Sequence, residues 1–251
     1  MAKSDRIVIV MPTFNEKDNI GQMIDILVGE EFPKIKGHEM LLLVVDDKSP
    51  DGTGRIVQEK QSQYQNLQLL EGERAGLGAA YARGFRYAID KLKADAVMEM
   101  DADFQHDPKD VKRFVRELEN GADYIIGARY IGGGSIPKEW SPDRRFLSVV
   151  GNLIYRTTLF MFMPGLHDFT TGYRLAKVKG PFGKLDFNKV FTKSFTYKTR
   201  LLYEMHKSGA KIKEIPITFD VRRSGDSKST TNLIFDNLKL IAEIWKERLL
   251  S

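Results

Sequence analysis

Four short apolar runs punctuate the first half of the chain: residues 6–11 (RIVIVM), 40–46 (MLLLVVD), 94–100 (ADAVMEM) and 123–127 (DYIIG). Each is too short for a helix, and its Val, Ile and Leu content predicts a strand buried on both faces. Between and after the runs, apolar positions recur at helical spacing over 19–29, 53–64, 78–91 and 108–120. The last of these segments opens with Asp107 as an N-cap and Pro108 at the first helical position. This alternation predicts an α/β fold, an open and mostly parallel sheet flanked by helices. The second half is less regular. Residues 145–163 read as a helix stopped by Pro164-Gly165, 212–220 as a strand, and 232–249 as an amphipathic helix.

Open sheets of this kind bind ligands beyond the carboxyl ends of their strands. Those ends read PTFNE (12–16), DDKSPDG (46–52), DADFQH (101–106) and GARY (127–130), so carboxylates are concentrated along one edge. Asp101, Asp103 and Gln105 alternate, and on an extended segment they would face one side, offering oxygen ligands to a hard cation such as Mg²⁺. The same spacing would also serve a turn or a helix cap. His106 reads as structural, because hard cations prefer oxygen. Asp47 could read a base or ribose or belong to a turn rich in Asx and Gly, whereas Asp51-Gly52 reads as that turn. The segment RAGLG (74–78) lacks the Walker spacing and its lysine, which excludes a P-loop NTPase. No Ser-His-Asp set is apparent. Arg129, Arg144, Arg145, Arg222, Arg223 and Lys228 are each ordinary surface charges taken singly; together they could bind two phosphate groups.

Composition narrows the picture. The chain has 251 residues, 42% hydrophobic and 29% charged, with no linker or repeat, so a single domain over 1–251 is expected. It has no cysteine, which excludes disulfides, Cys-ligated zinc and a thiol nucleophile. The N-terminal run does not read as a signal peptide. No apolar run approaches the roughly 18–20 residues of a spanning helix, so any membrane contact should be peripheral. The net charge of +5 leaves nucleic acid, anionic lipid and phosphate ligands open. The absence of interleaved aromatic and basic residues argues against nucleic acid.

Nine motifs then follow one another in order: MPTFNEKDNI, VVDDKSPDGTG, RAGLGAAY, MDADFQHDP, IIGARYIGGG, W-x3-R-x3-S-x2-GN from Trp140 to Asn152, DFTTGYR, KEIPITF, and R-x2-G-x-SK from Arg222 to Lys228. Over nearly its whole length the chain resembles the family-2 glycosyltransferases of GT-A fold, and within them the polyprenyl (dolichyl) phosphate mannose synthases. The resemblance implies that Pro12, Phe14, Glu16, Val45 and Asp47 bind the nucleoside. It puts Asp101, Ala102, Asp103 and Gln105 at the metal and diphosphate, with Mg²⁺ or Mn²⁺ on Asp103 and Gln105. Arg222 and Lys228 match positions that hold the donor's diphosphate; Arg129, Arg144 and Ser148 match those that receive the acceptor phosphate. Asp101, Asp103 and Arg129 form the implied catalytic set. Residues 1–130 become the nucleotide-sugar half and 131–251 the acceptor half with its C-terminal helix.

The implied reaction is inverting transfer of mannose from GDP-mannose to dolichyl or another polyprenyl phosphate. It would take place at the cytoplasmic face of a membrane, with a small membrane anchor subunit as a possible partner. UDP-glucose with the same acceptor, and a non-catalytic nucleotide-sugar-binding subunit, are the competing readings. The chain departs from the family pattern at Phe14, where tyrosine is common, and at Arg74, where lysine is. Phe195-Thr196-Tyr197-Lys198 also stands where GY-x-FQ is usual.

Overall fold

The computed structural model describes residues 4–192, 194–223 and 233–250; Lys228 lies outside them. The elements run β1 (Asp5–Thr13), α1 (Lys17–Ile24), β2 (His38–Asp46), α2 (Thr53–Gln61), β3 (Leu67–Glu71), α3 (Leu77–Asp90), β4 (Ala96–Glu99) and α4 (Val111–Glu119). They continue with β5 (Tyr124–Ala128), α5 (Pro142–Thr158), β6 (Arg174–Lys177), α6 (Phe187–Val190), α7 (Tyr197–Lys207), β7 (Ile212–Pro216) and α8 (Leu233–Leu249). Among the described residues the strands form one sheet in the order β3-β2-β1-β4-β6-β5-β7. β1 pairs in parallel with β2 and β4, and β2 with β3.

Successive side chains of a strand point to opposite faces, and β1 divides accordingly. Val8 and Val10 pack with Tyr81 and Phe85 of α3 and Leu201 and Leu202 of α7. Ile7, Ile9 and Met11 pack with Ile20, Met23 and Ile24 of α1 and Phe114 and Val115 of α4. The sheet is therefore covered on both sides, which is why its strands read as unbroken apolar runs.

The structure adds elements the pattern did not predict. β3 is the outermost strand, and its residues beyond Leu67 are only partly buried or exposed, so the apolar signal is weak. β6 is four residues long with Arg174 and Lys177 at its ends. It enters antiparallel between β4 and β5. The reversal has a consequence for the site: the start of β6 lies at the carboxyl end of β4, with Arg174 opposite Glu99. The preceding DFTTG segment is thereby brought to the ligand edge. α6 and α7 have no counterpart among the predicted elements.

Some boundaries also move. The helix predicted over 19–29 is α1 followed by a π-helical segment, Asp25–Glu31, and a 3-10 turn, Phe32–Lys34. The helix predicted over 145–163 starts earlier, at Pro142, and ends at Thr158. The strand predicted over 212–220 stops at Pro216, a residue that lacks the N–H a ladder needs. Asp107 does cap the next helical segment, accepting from Lys109 N at 2.9 Å.

Candidate active site at the carboxyl edge of the sheet

Three loops at this edge each turn through a left-handed residue that is not glycine: Asn15 (φ 55) after β1, Lys48 (φ 49) after β2 and Phe104 (φ 65) after β4. Such conformations cost energy and persist where neighbours enforce them. Asp46 fastens the first two loops by accepting from Thr13 Oγ1 at 2.8 Å, Ser49 N at 2.8 Å and Ser49 Oγ at 2.6 Å. Over the third lies Arg223, its guanidinium 3.8 Å from the centre of the Phe104 ring.

The acid loop is not extended, contrary to the alternation expected for Asp101, Asp103 and Gln105. β4 ends at Glu99, and the chain bends through Phe104. Asp103 Oδ1 accepts from Gln105 N at 3.0 Å, an Asx turn that holds the bend. Asp103 Oδ2 pairs with Arg222 Nη2 at 2.7 Å, and Arg222 Nη1 donates to Glu16 Oε1 at 3.2 Å. Gln105 Nε2 donates to Asp220 O at 3.2 Å, which turns its amide oxygen to other partners. Asp101 Oδ1 accepts from the Tyr81 hydroxyl at 3.2 Å. Neighbouring Ala102 is buried. The segment after β7 thus folds over the acid loop and ties Arg222 to it.

Charges here are crowded. Burial, then the nearby Asp101, pushes the Asp103 carboxyl up to about 6 despite Arg222. At Asp101 burial opposes the charged form, but His106, Lys198, the Tyr81 hydroxyl and Arg222 outweigh it and hold the carboxyl below its ordinary value. Burial takes the His106 imidazole down to about 4, so it is neutral near pH 7. Its Nδ1 accepts from Asp101 N at 3.1 Å, and its ring stacks on Tyr173 at 4.5 Å. Among the described residues no three His, Cys, Asp or Glu side chains are placed to hold a metal ion. Asp103 and the Gln105 amide oxygen nevertheless suit a hard cation that takes its remaining ligands from phosphate and water. A buried carboxylate with its pKa raised by a like charge is stabilised by such a cation.

Near the carboxyl ends of β1 and β2, Pro12 and Val45 are register partners. The Arg74 guanidinium lies 3.9 Å from the centre of the Phe14 ring. Asp47 pairs with Arg83 Nη2 at 2.5 Å, and burial raises its carboxyl even so. Glu16 is buried and accepts from Asn19 Nδ2 at 2.8 Å.

On the opposite side, Arg129 is committed more deeply than a phosphate ligand need be. Its Nε donates to Asp168 Oδ2 and its Nη2 to Asp168 Oδ1, both at 2.8 Å; Nη2 also reaches Thr170 Oγ1 at 2.7 Å. Nη1 is the nitrogen outside these bonds. Arg144 is exposed, with its guanidinium 4.0 Å over the Trp140 ring. Trp140 packs edge-on against Phe219 at 5.7 Å, and Phe219 lies 5.4 Å from the Arg129 guanidinium. Ser148 Oγ bonds the Tyr130 hydroxyl at 2.7 Å. Arg129 and Arg144 therefore flank the Trp140–Phe219 pair, and Ser148 joins Arg129 through Tyr130, whose ring lies 5.0 Å from that guanidinium. Arg144 is close enough to the acid loop to sense the charges of Arg222 and Asp103.

Sequence reasoning did not single out four buried charged residues. Asp168 was visible only inside DFTTGYR. Glu99 accepts from the Tyr197 hydroxyl at 3.0 Å, and burial pushes its carboxyl up to about 7 against Arg174 and Lys198. Arg174 donates to Tyr124 Oη at 3.1 Å and to the carbonyls of Phe169 and Lys198. Burial lowers the Lys198 ammonium, although Asp101 and Glu99 pull it upward. A charge interrupting an apolar run was the available signal for Glu99.

Breaking a buried pair on one side strands its partner's charge. Asp168→Ala is therefore expected to lower stability by about 3–5 kcal/mol at pH 7, read from urea unfolding. Burial acts to raise the Asp168 carboxyl, but the charge and bonds of Arg129 hold it below its ordinary value. The pair's contribution is thus complete at neutral pH, and the gap to wild type should close as pH falls below about 4. Equal stability at pH 7 would contradict this role.

The chain has clear relatives among known proteins. Residues 8–180 match the model of glycosyl transferase family 2. A polyprenol monophosphomannose synthase of Mycolicibacterium smegmatis is 32% identical over 96% of this chain and 87% of its own length. An undecaprenyl-phosphate mannosyltransferase of Micrococcus luteus is 30% identical over 91% of this chain and 89% of its own. Among solved structures, a mannosyltransferase of Pyrobaculum calidifontis in complex with GDP-Man and Mn²⁺ shares the fold, with a TM-score of 0.56 and 16% identity over 90% of this chain and 59% of that one. The fold is GT-A, and the chain belongs to glycosyl transferase family 2, among the polyprenyl-phosphate mannose synthases.

Proposed function

We propose that this chain transfers mannose from GDP-mannose to dolichyl or another polyprenyl phosphate and inverts the anomeric centre to give the β-linked mannosyl phosphate. The observation that carries this reading is the pairing of an oxygen-rich acid loop, Asp101, Asp103 and Gln105, with arginines on both of its sides. Arg222 belongs to the donor side and bonds Asp103 and Glu16. Arg129 and Arg144 belong to the acceptor side. Two phosphate-bearing substrates need such a division, and the names of the full-length relatives point the same way. Residues 1–130 then serve the nucleotide sugar and 131–251 the acceptor.

The chemistry asks little of proton transfer. A phosphate monoester is already ionised at neutral pH, so the attacking oxygen needs positioning and partial neutralisation rather than a base. Neutral His106, whose Nδ1 is occupied by Asp101 N, fits a site without a base. A divalent cation, Mg²⁺ or Mn²⁺, held through Asp103 and Gln105 would offset charge on the departing diphosphate. Arg222 lies beside that position, and Lys228 is assigned to it from the sequence. Single in-line displacement from an α-linked donor gives the β product. Pro12, Phe14, Glu16, Val45 and Asp47 hold the nucleoside.

The acceptor is a lipid, yet among the described residues no helix is long and apolar enough to cross a membrane. α5 and the turn after it leave Phe146 (65%), Leu147 (57%), Leu153 (50%), Phe160 (59%) and Met161 (76%) exposed. With Arg144 and Arg145 at its start, this face has the chemistry of a helix lying among anionic headgroups on the cytoplasmic surface. α8 exposes Phe235, Leu238 and Leu249, a surface open to a small membrane anchor subunit.

Two experiments test the reading. GDP-mannose, UDP-glucose and UDP-N-acetylglucosamine are offered with a short polyprenyl phosphate, and products are identified by mass spectrometry. Mannosyl transfer is expected to dominate and to fall by several orders of magnitude in folded Asp103→Ala; glucosyl transfer, or unchanged turnover in the variant, contradicts the assignment. In flotation with anionic liposomes at low salt, wild type should float and Phe146→Asp/Phe160→Asp should not. Wild type remaining in the soluble fraction with acceptor lipid present rules out docking through α5.

A further inference from the structure

Beside Asp101 stand two buried hydrogen-bond donors that the transfer reaction, as described, does not use. Lys198, near the start of α7, is 8% exposed. Among the described residues its Nζ makes a cation–π contact, 5.6 Å from the centre of the Phe195 ring, but no hydrogen bond or ion pair. The other donor is His106, 1% exposed. Because its Nδ1 accepts the Asp101 N–H, the ring proton sits on Nε2. That Nε2 is buried and has no partner among the described residues.

The two groups meet at Gly172. A methyl built on this glycine would lie 2.5 Å from Lys198 Nζ, 3.0 Å from its Cε and 3.7 Å from His106 Cε1. The missing side chain at Gly172 therefore leaves the space in which the end of Lys198 lies beside the His106 ring. A ligand there must present acceptor oxygens, and an ammonium favours an anionic one.

Charge balance indicates which anion. The donor's diphosphate has Arg222 beside Asp103 and Gln105. Lys198 Nζ abuts Gly172, in the same DFTTG segment whose Asp168 and Thr170 bond Arg129 on the acceptor side. Arg129 is paired through two nitrogens with Asp168, so that pair carries no net charge. An acceptor phosphate dianion placed against it has Arg144 for one of its charges and needs a further cation for the other. We propose that Lys198 supplies this cation, binding an oxygen of the acceptor phosphate, with His106 Nε2–H as a second donor. This assignment rests on the acceptor being a polyprenyl phosphate.

Steady-state kinetics on the full chain, with GDP-mannose and a short polyprenyl phosphate, test it. Lys198→Met should raise the acceptor KM by about tenfold or more, the scale of one lost charge-assisted hydrogen bond, and leave the GDP-mannose KM nearly unchanged. Lys198→Arg should recover part of the loss. Gly172→Ala keeps the charge but displaces the flexible end of Lys198, and should also raise the acceptor KM selectively; it serves as the test if Lys198→Met does not fold. Unchanged constants, or equal rises in both, overturn the proposal while the proposed reaction stands. No turnover of polyprenyl phosphate by wild type, with any sugar donor, overturns the reaction and this assignment together.

Discussion

The site depends on one electrostatic constraint: carboxylates crowded at the end of β4. Glu16, Glu99 and Asp103 are buried there, and Asp101 is partly so. Like charges withdrawn from water destabilise one another unless cations interleave with them. Three distant parts of the chain provide those cations. The segment after β7 contributes Arg222, β6 contributes Arg174, and α7 contributes Lys198.

The inserted antiparallel strand makes this convergence possible. A parallel β6 would start at the opposite edge of the sheet and carry both DFTTG and Arg174 away from the acid loop. As β6 runs, Arg174 faces Glu99 across the strand pair, a favourable cross-strand arrangement. Asp168 comes within bonding distance of Arg129 at the end of β5. Gly172 meets the end of Lys198. A single reversal of chain direction thus joins the acid loop to the arginines around it.

Much of this was legible in sequence. The apolar runs at 6–11, 40–46, 94–100 and 123–127 correspond to β1, β2, β4 and β5 because those strands are covered on both faces. The polar strand ends located the ligand edge, since the parallel strands finish on one side. The alternation of Asp101, Asp103 and Gln105 presumed an extended segment, whereas the chain bends at Phe104 under an Asx turn from Asp103 that local spacing does not reveal. Short β6 carried no apolar period, and the pairing of Arg129 with Asp168 spans 39 positions, beyond any local pattern. Lys198 showed only as a departure from GY-x-FQ, and its burial follows from the helix α7 that the pattern did not predict.

The central claim is that the crowded carboxylates exist to share a cation with the donor's diphosphate. The most direct measurement is Mn²⁺ binding by electron paramagnetic resonance, with and without GDP, in wild type and Asp103→Asn. Weak binding of Mn²⁺ alone, strengthened markedly by GDP in wild type and abolished in the variant, is the expected result. GDP binding that is equally tight in the presence of a chelator, or Mn²⁺ binding that survives the loss of the Asp103 carboxylate, would contradict the account.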